Sequence, residues 1–134
     1  MATTGECLCG GVKYTITSDP VMTRTCWCKL CQKIGAGSAT VNAMFTKETV
    51  TVEGDLGDYQ CEADSGNKMH RKFCPKCGTH MFSESDARPG VMGVRVGTMN
   101  DPEIGAPQAT IWTSEAPSWA CISEDIPKGE KQAV

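Results

Sequence analysis

The sequence predicts a mainly β domain of short antiparallel strands, and three observations carry that expectation. β-prone runs of four to seven residues are separated by Gly, Pro, Asn and Asp, and helical character is confined to one short stretch. Leucine, isoleucine, valine and phenylalanine together supply only 21 of 134 residues, against nine cysteines. So small an aliphatic fraction accompanies disorder when net charge is high, but here 13 basic residues nearly balance 16 acidic ones. A single folded domain over residues 1–134 is expected, its core running from about residue 5 to 121, with staples making up for the thin apolar interior.

In chain order, Val12–Thr17 opens the strand series, because Val12, Tyr14 and Ile16 alternate with Lys13 and Thr15 as one dry and one wet face require. Lys29–Ile34, following Cys28, is the helical turn, stopped by Gly35 and Gly37. Ala39–Phe45 and Thr49–Glu53 are the next strands, the latter alternating through Val50, Thr51, Val52 and Glu53. Lys68–Phe73, Thr79–Ser83, Val91–Gly97 and Thr110–Thr113 complete the set. The tail from Glu124 to Val134 is polar, contains Pro127 and Gly129, and is expected to fray.

The cysteines decide what the staples are. The opening MATTGECLCG has no basic or apolar leader region, and no stretch approaches the ~18 apolar residues of a spanning helix. A cytoplasmic setting without membrane insertion is expected. Thiols stay reduced there, and cysteines spaced as CxC and CxxC read as metal ligands; an odd count also argues against complete disulfide pairing. No Lys/Arg block exceeds a pair, so there is no electrostatic footprint for nucleic acid or anionic lipid.

Seven cysteines fall into three groups: Cys7 and Cys9; Cys26, Cys28 and Cys31; Cys74 and Cys77. Cys74-Pro75-Lys76-Cys77-Gly78 has the form of a zinc knuckle, in which two intervening residues let both sulfurs converge and glycine supplies the left-handed backbone that follows. In an extended segment Cys7 and Cys9 share a face, so they can complete a closed four-thiolate structural zinc site with Cys74 and Cys77. Cys26, Cys28 and Cys31 then offer three ligands and an open position, the pattern of a catalytic zinc. Three thiolates make a soft, weakly Lewis-acidic site, better suited to activating a thiol than water. Two other pairings stand beside this one: a single zinc ribbon from Cys28, Cys31, Cys74 and Cys77, and a redox pair at Cys28 and Cys31. Cys61 and Cys121 read as small buried hydrophobes. His70 and His80 read as satisfied strand residues that could alternatively approach a metal or move a proton.

The succession Cys7-x-Cys9-Gly10-Gly11-Val12-x-Tyr14, Cys26-x-Cys28-x-x-Cys31-x-Lys33-x-Gly35 and Phe73-Cys74-x-x-Cys77-Gly78-Thr79 resembles the glutathione-dependent formaldehyde-activating (GFA, or centromere protein V/GFA) family. Val96-Gly97-Thr98-Met99-Asn100-Asp101-Pro102, Ile111-Trp112, Pro117 and Trp119 also fit it. The resemblance implies an Mss4-like, mainly β fold. It also implies two zinc ions per chain, a structural one on Cys7, Cys9, Cys74 and Cys77 and a catalytic one on Cys26, Cys28 and Cys31. The implied chemistry is a carbon–sulfur lyase reaction joining or splitting a small thiol, glutathione, and an aldehyde such as formaldehyde. Trp27 stands where the family often has histidine; in an extended segment it would point away from the metal. It either packs on the opposite face or lines a pocket for a bulkier adduct. Lys29, Lys33, Arg71, Lys72 and Arg95 are candidates for holding substrate carboxylates by charge alone. The alternative from another class is a non-enzymatic, zinc-stapled protein-interaction module.

Overall fold

The computed structural model describes residues 2–63 and 66–132. Two sheets form the molecule. The smaller has the order β1 (Thr3–Glu6), β2 (Lys13–Ile16), β5 (Val50–Glu53), all antiparallel. The larger has seven strands in the order β10 (Ala109–Ile111), β3 (Met22–Cys26), β4 (Thr40–Thr46), β9 (Val91–Arg95), β8 (His80–Ser85), β7 (Lys68–Phe73), β6 (Gly57–Glu62). Every pairing within it is antiparallel except β10 with β3. One six-residue helix, α1 (Lys29–Ile34), follows β3, and short 3-10 turns fill several connections. No helix among the described residues is long and apolar enough to cross a membrane.

The alternation in β2 positions the core. Tyr14 and Ile16 are buried while Lys13 and Thr15 face water, and the buried pair meets Ala43, Phe45, Phe82 and Val94 from the larger sheet. Tyr14 packs edge-on against Phe82 with ring centroids 5.4 Å apart. Its hydroxyl shares a 2.8 Å hydrogen bond with Thr98, which satisfies the buried oxygen, and burial pushes the phenol up to about 12. The close approach of Tyr14 requires glycine opposite it: a Cβ on Gly5 would lie 2.2 Å from the phenol oxygen.

Expected and observed elements agree at Lys29–Ile34 and Lys68–Phe73. Val91–Gly97 ends as a strand at Arg95, where a 3-10 turn takes over. Three strands escape sequence patterning. β1 buries only Thr3 and Gly5, β3 buries Thr23 and Cys26, and β6 is a half-exposed edge, so none shows an apolar alternation. The tail also behaves differently from its composition. Pro127 and Lys131 accept backbone hydrogen bonds from Thr110 and Trp112, each 2.9 Å, and the Gly129 amide donates to Thr110 at 2.9 Å. Residues 127–131 therefore run alongside β10, bridged to it at Lys128, a contact that a composition rule does not see; Val134 lies outside the described residues.

Two predictions follow from this packing. Gly5→Ala should cost about 1–3 kcal/mol through steric overlap with Tyr14 and Thr98, read as a lowered urea midpoint. His70 lies 2.9 Å from Asp58 and 2.8 Å from Asp86, and hydrogen bonding to Asp58, then Asp86, raises its pKa above the ordinary 6.5. A raised folded pKa contributes stability that is complete below the unfolded value and disappears as pH climbs through the folded one. The difference in urea midpoint between wild type and His70→Gln should therefore be largest just below pH 6.5 and shrink toward alkaline pH; a gap independent of pH would exclude this contribution.

Candidate metal centres

Two groups of cysteines converge. Cys7, Cys9, Cys74 and Cys77 place their sulfurs within 4.8 Å of one another, and Cys26, Cys28 and Cys31 do the same separately. The ribbon pairing of Cys28 and Cys31 with Cys74 and Cys77 is thereby ruled out: α1 and the β7–β8 turn contribute to different clusters.

The four-cysteine cluster is built from two facing turns. In the first, the Cys7 amide donates to Val12 at 3.0 Å, the Gly10 amide donates to Cys7 at 3.1 Å, and Gly10 takes a left-handed φ of +77°. Cys7 and Cys9 thus converge through a tight turn rather than through the face-sharing of an extended strand. The second turn repeats the device: the Gly78 amide donates to Cys74 at 2.8 Å and Gly78 has φ +78°. The Cys7–Cys9 and Cys9–Cys74 sulfur separations are 3.6 and 3.8 Å. Tetrahedral zinc with bonds of ~2.3 Å sets its sulfurs ~3.8 Å apart, so the donor set fits that ion. Thr79 joins the turns, its hydroxyl oxygen accepting from the Leu8 amide at 3.1 Å and lying 3.2 Å from the Cys77 sulfur. The hydroxyl and then the amide of Thr79 bring the Cys77 thiol down to about 5, toward the thiolate that a metal needs.

The three-cysteine cluster sits at the outer end of β3. Cys26 closes that strand, Cys28 caps α1 with its sulfur accepting from the Cys31 amide at 3.4 Å, and Cys31 occupies the buried face of the helix. Other parts of the chain pin the helix: Glu115 accepts from the Lys29 amide at 2.6 Å, and the Gln32 side chain donates to the carbonyls of Trp27 and Glu115 at 2.7 and 2.9 Å. Ile111 and Trp112 pack against the sulfurs, and Trp112 holds a left-handed φ of +58° that is uncommon outside glycine. Trp27 lies between Cys26 and Cys28, buried, with its ring edge-on to the exposed Trp119 at 6.5 Å. Hydrogen bonding from Cys26 and Cys28, then from Thr40, together with the positive charge of Arg95, holds the Cys31 thiol far below its usual range. Cys26, as the corresponding partner, is pushed up by Cys28 and Cys31.

The other candidates are distributed away from these clusters. His70 is bound to its two aspartates, and His80 stacks on Phe73 with centroids 5.9 Å apart; neither joins a cysteine group. Cys61 is half-buried on an edge strand and Cys121 is exposed in an irregular loop, so neither is the fully buried hydrophobe expected. Lys29 and Lys33 are exposed, Lys72 is paired with Glu84 at 2.7 Å, and Arg71 and Arg95 are buried. Thr40 and Glu115 carry no sequence signal, since they meet the three-cysteine cluster through contacts 9 to 86 residues apart, whereas Thr79 stands in the Cys-x-x-Cys-Gly-Thr motif without its bridging role being readable there.

A family model described as glutathione-dependent formaldehyde-activating enzyme matches residues 2–115. Among solved structures, the crystal structure of a Rhodobacter sphaeroides protein is similar at 23% identity and a TM-score of 0.60, over 78% of this chain and 96% of that one. At this identity the likeness concerns the fold. No curated protein matches.

The bridging hydroxyl supplies a test of the four-cysteine cluster. Thr79→Val should weaken zinc binding there by about tenfold or more, measured by competition with a chromophoric chelator. Unchanged affinity would show that Thr79 does not support the ligands.

Proposed function

Because the chain belongs to the glutathione-dependent formaldehyde-activating enzyme family, we propose that it is a zinc-dependent carbon–sulfur lyase or synthase acting on adducts of a small thiol, such as glutathione, with an aldehyde. The observation that carries this reading is the separation of the three-cysteine cluster from the four-cysteine one. Four thiolates close a tetrahedral ion and leave it only a structural role, whereas three leave a position for a ligand from solution. Zinc held by Cys26, Cys28 and Cys31 would supply a soft cationic position at which a thiol loses its proton yet remains nucleophilic.

The protein's own part is electrostatic and positional. Cys28, half-buried, is the member of the triplet nearest to solvent exposure, while Cys26 and Cys31 are buried. Arg95 directs positive charge at Cys31, favouring the thiolate state there. Ile111 and Trp112 form an apolar wall beside the sulfurs, which lowers the local dielectric and strengthens that interaction. Nine free cysteines, seven of them gathered in these clusters, suit a reducing compartment such as the cytoplasm.

The two sites should respond differently to loss of a ligand. Cys31→Ser should leave a folded protein with one zinc in place of two and abolish thiol–aldehyde exchange, whereas Cys77→Ser should unfold the domain, as followed by metal analysis, circular dichroism and exchange NMR. A wild-type protein with one zinc per chain, or a Cys31→Ser variant that exchanges adduct at the wild-type rate, would overturn the two-site assignment.

A further inference from the structure

The two faces of the larger sheet are very different. Ala43, Phe45, Phe82 and Val94 turn toward the smaller sheet, so strand alternation puts Asn42, Arg95, Ser83 and Arg71 on the opposite face. Register brings cations together there. Arg24 and Arg95 stand on either side of Asn42, and Arg71 lies opposite Ser83, itself opposite Gly93. Cys26 is two residues along β3 from Arg24 and shares its face. The row of cations thus leads to the three-cysteine cluster.

Several nitrogens of these guanidinium groups are buried without an acceptor. Arg71 and Arg95 are each only 7% exposed. Arg95 donates through Nη1 to the Asn42 side-chain oxygen, but its Nε and Nη2, like the Nε of Arg24 and of Arg71, are buried with no hydrogen-bond acceptor. Among the described residues no carboxylate pairs with any of the three. Buried guanidinium groups ordinarily take a carboxylate or phosphate in a forked pair, because leaving them unpaired sacrifices hydration without compensation. Three thiolates on one zinc leave a single net negative charge, enough to offset Arg95 beside Cys31 but not Arg71 as well.

We propose that these arginines form a carboxylate subsite, and that the aldehyde handled at the three-cysteine cluster carries its carboxylate directly on the carbonyl carbon. This rests on the thiol–aldehyde reading of that cluster and names its carbonyl substrate as an α-oxo acid, glyoxylate being the simplest. Position selects the carbonyl partner over the thiol. Arg95 stands across Asn42 from Arg24, on the face that Cys26 shares, so an anion held there lies on the same face as the three-cysteine cluster. The carboxylates of a tripeptide thiol are several bonds from its sulfur, whereas an α-oxo acid places its own one bond from the carbon under attack. In the addition, a C–S bond forms and the carbonyl π bond becomes a C–O single bond. The proton lost by the thiol ends on that oxygen, and nothing is oxidised or reduced.

The arginine side chains report the subsite directly. In nitrogen-15 labelled, zinc-loaded protein, glyoxylate should shift the Nε–H resonances of Arg71 and Arg95, while the uncharged analogue glycolaldehyde should not. Wild type should also exchange the glutathione adduct of glyoxylate about tenfold or more faster than that of glycolaldehyde, and Arg71→Gln should lose this preference, with Arg71→Lys restoring part of it. Equal shifts from glyoxylate and glycolaldehyde, or none from either, overturn the proposal, and the resonances of wild type decide it even if Arg71→Gln fails to fold. Shifts produced by glutathione alone, and not by glyoxylate, assign the carboxylate to the thiol partner and also overturn it. Arginine shifts with glyoxylate but no accelerated exchange of any adduct would leave the anion subsite standing and defeat the thiol–aldehyde reading on which the substrate assignment rests.

Discussion

The meeting of two turns, Cys7–Gly10 and Cys74–Gly78, is the constraint on which the rest of the structure depends. Four sulfurs approach one another within 4.8 Å, a distance at which thiolates repel unless a cation lies among them. Their convergence ties the smaller sheet, through the turn after β1, to the hairpin of β7 and β8 in the larger one. Tyr14 and Phe82 then meet at the sheet interface, and a core with few large aliphatic residues suffices to hold the layers. Geometry imposed at the sulfurs substitutes for area that the sequence does not possess.

What the sequence made legible was local. The knuckle Cys74-Pro75-Lys76-Cys77-Gly78 declares itself because its ligands lie three apart and its glycine must adopt positive φ. Lys29–Ile34 is legible for a similar reason, with its stopping glycine close by. By contrast, β1 fills its inward positions with Thr3 and Gly5, the latter covered by Tyr14 reaching across. No alternation rule sees such a strand. The CxC pair illustrates a subtler failure: the convergence of Cys7 and Cys9 with Cys74 and Cys77 was readable from spacing, but the conformation presenting it was not, since a turn and a strand can both aim residues i and i+2 at one point.

The three-cysteine cluster shows the opposite balance between local and distant contributions. Its ligands span only six residues, yet its environment comes from Thr40, Arg95, Ile111, Trp112 and Glu115, brought in by neighbouring strands and by the loop after β10. Sequence spacing identifies the donors and says nothing of the field in which they act. That field combines an apolar wall on one side with buried guanidinium nitrogens on the other, surroundings that differ from those of the four-cysteine cluster.

The parallel pairing of β10 with β3 bears on how the protein emerges from the ribosome. Ile111 registers with Cys26, 85 positions earlier in the chain, and residues 127–131 in turn cover β10. Both turns of the four-cysteine cluster, and every strand of the two sheets except β10, have been synthesised once Arg95 has appeared, so the body of the domain can assemble while β3 still presents an unpaired edge. During that interval the nascent chain carries an open row of amides and carbonyls next to three thiols, a combination that invites strand addition and adventitious oxidation. Pairing of β10 with β3, and of residues 127–131 with β10, covers that edge, so the surroundings of the three-cysteine cluster are completed only after the rest of the sheet.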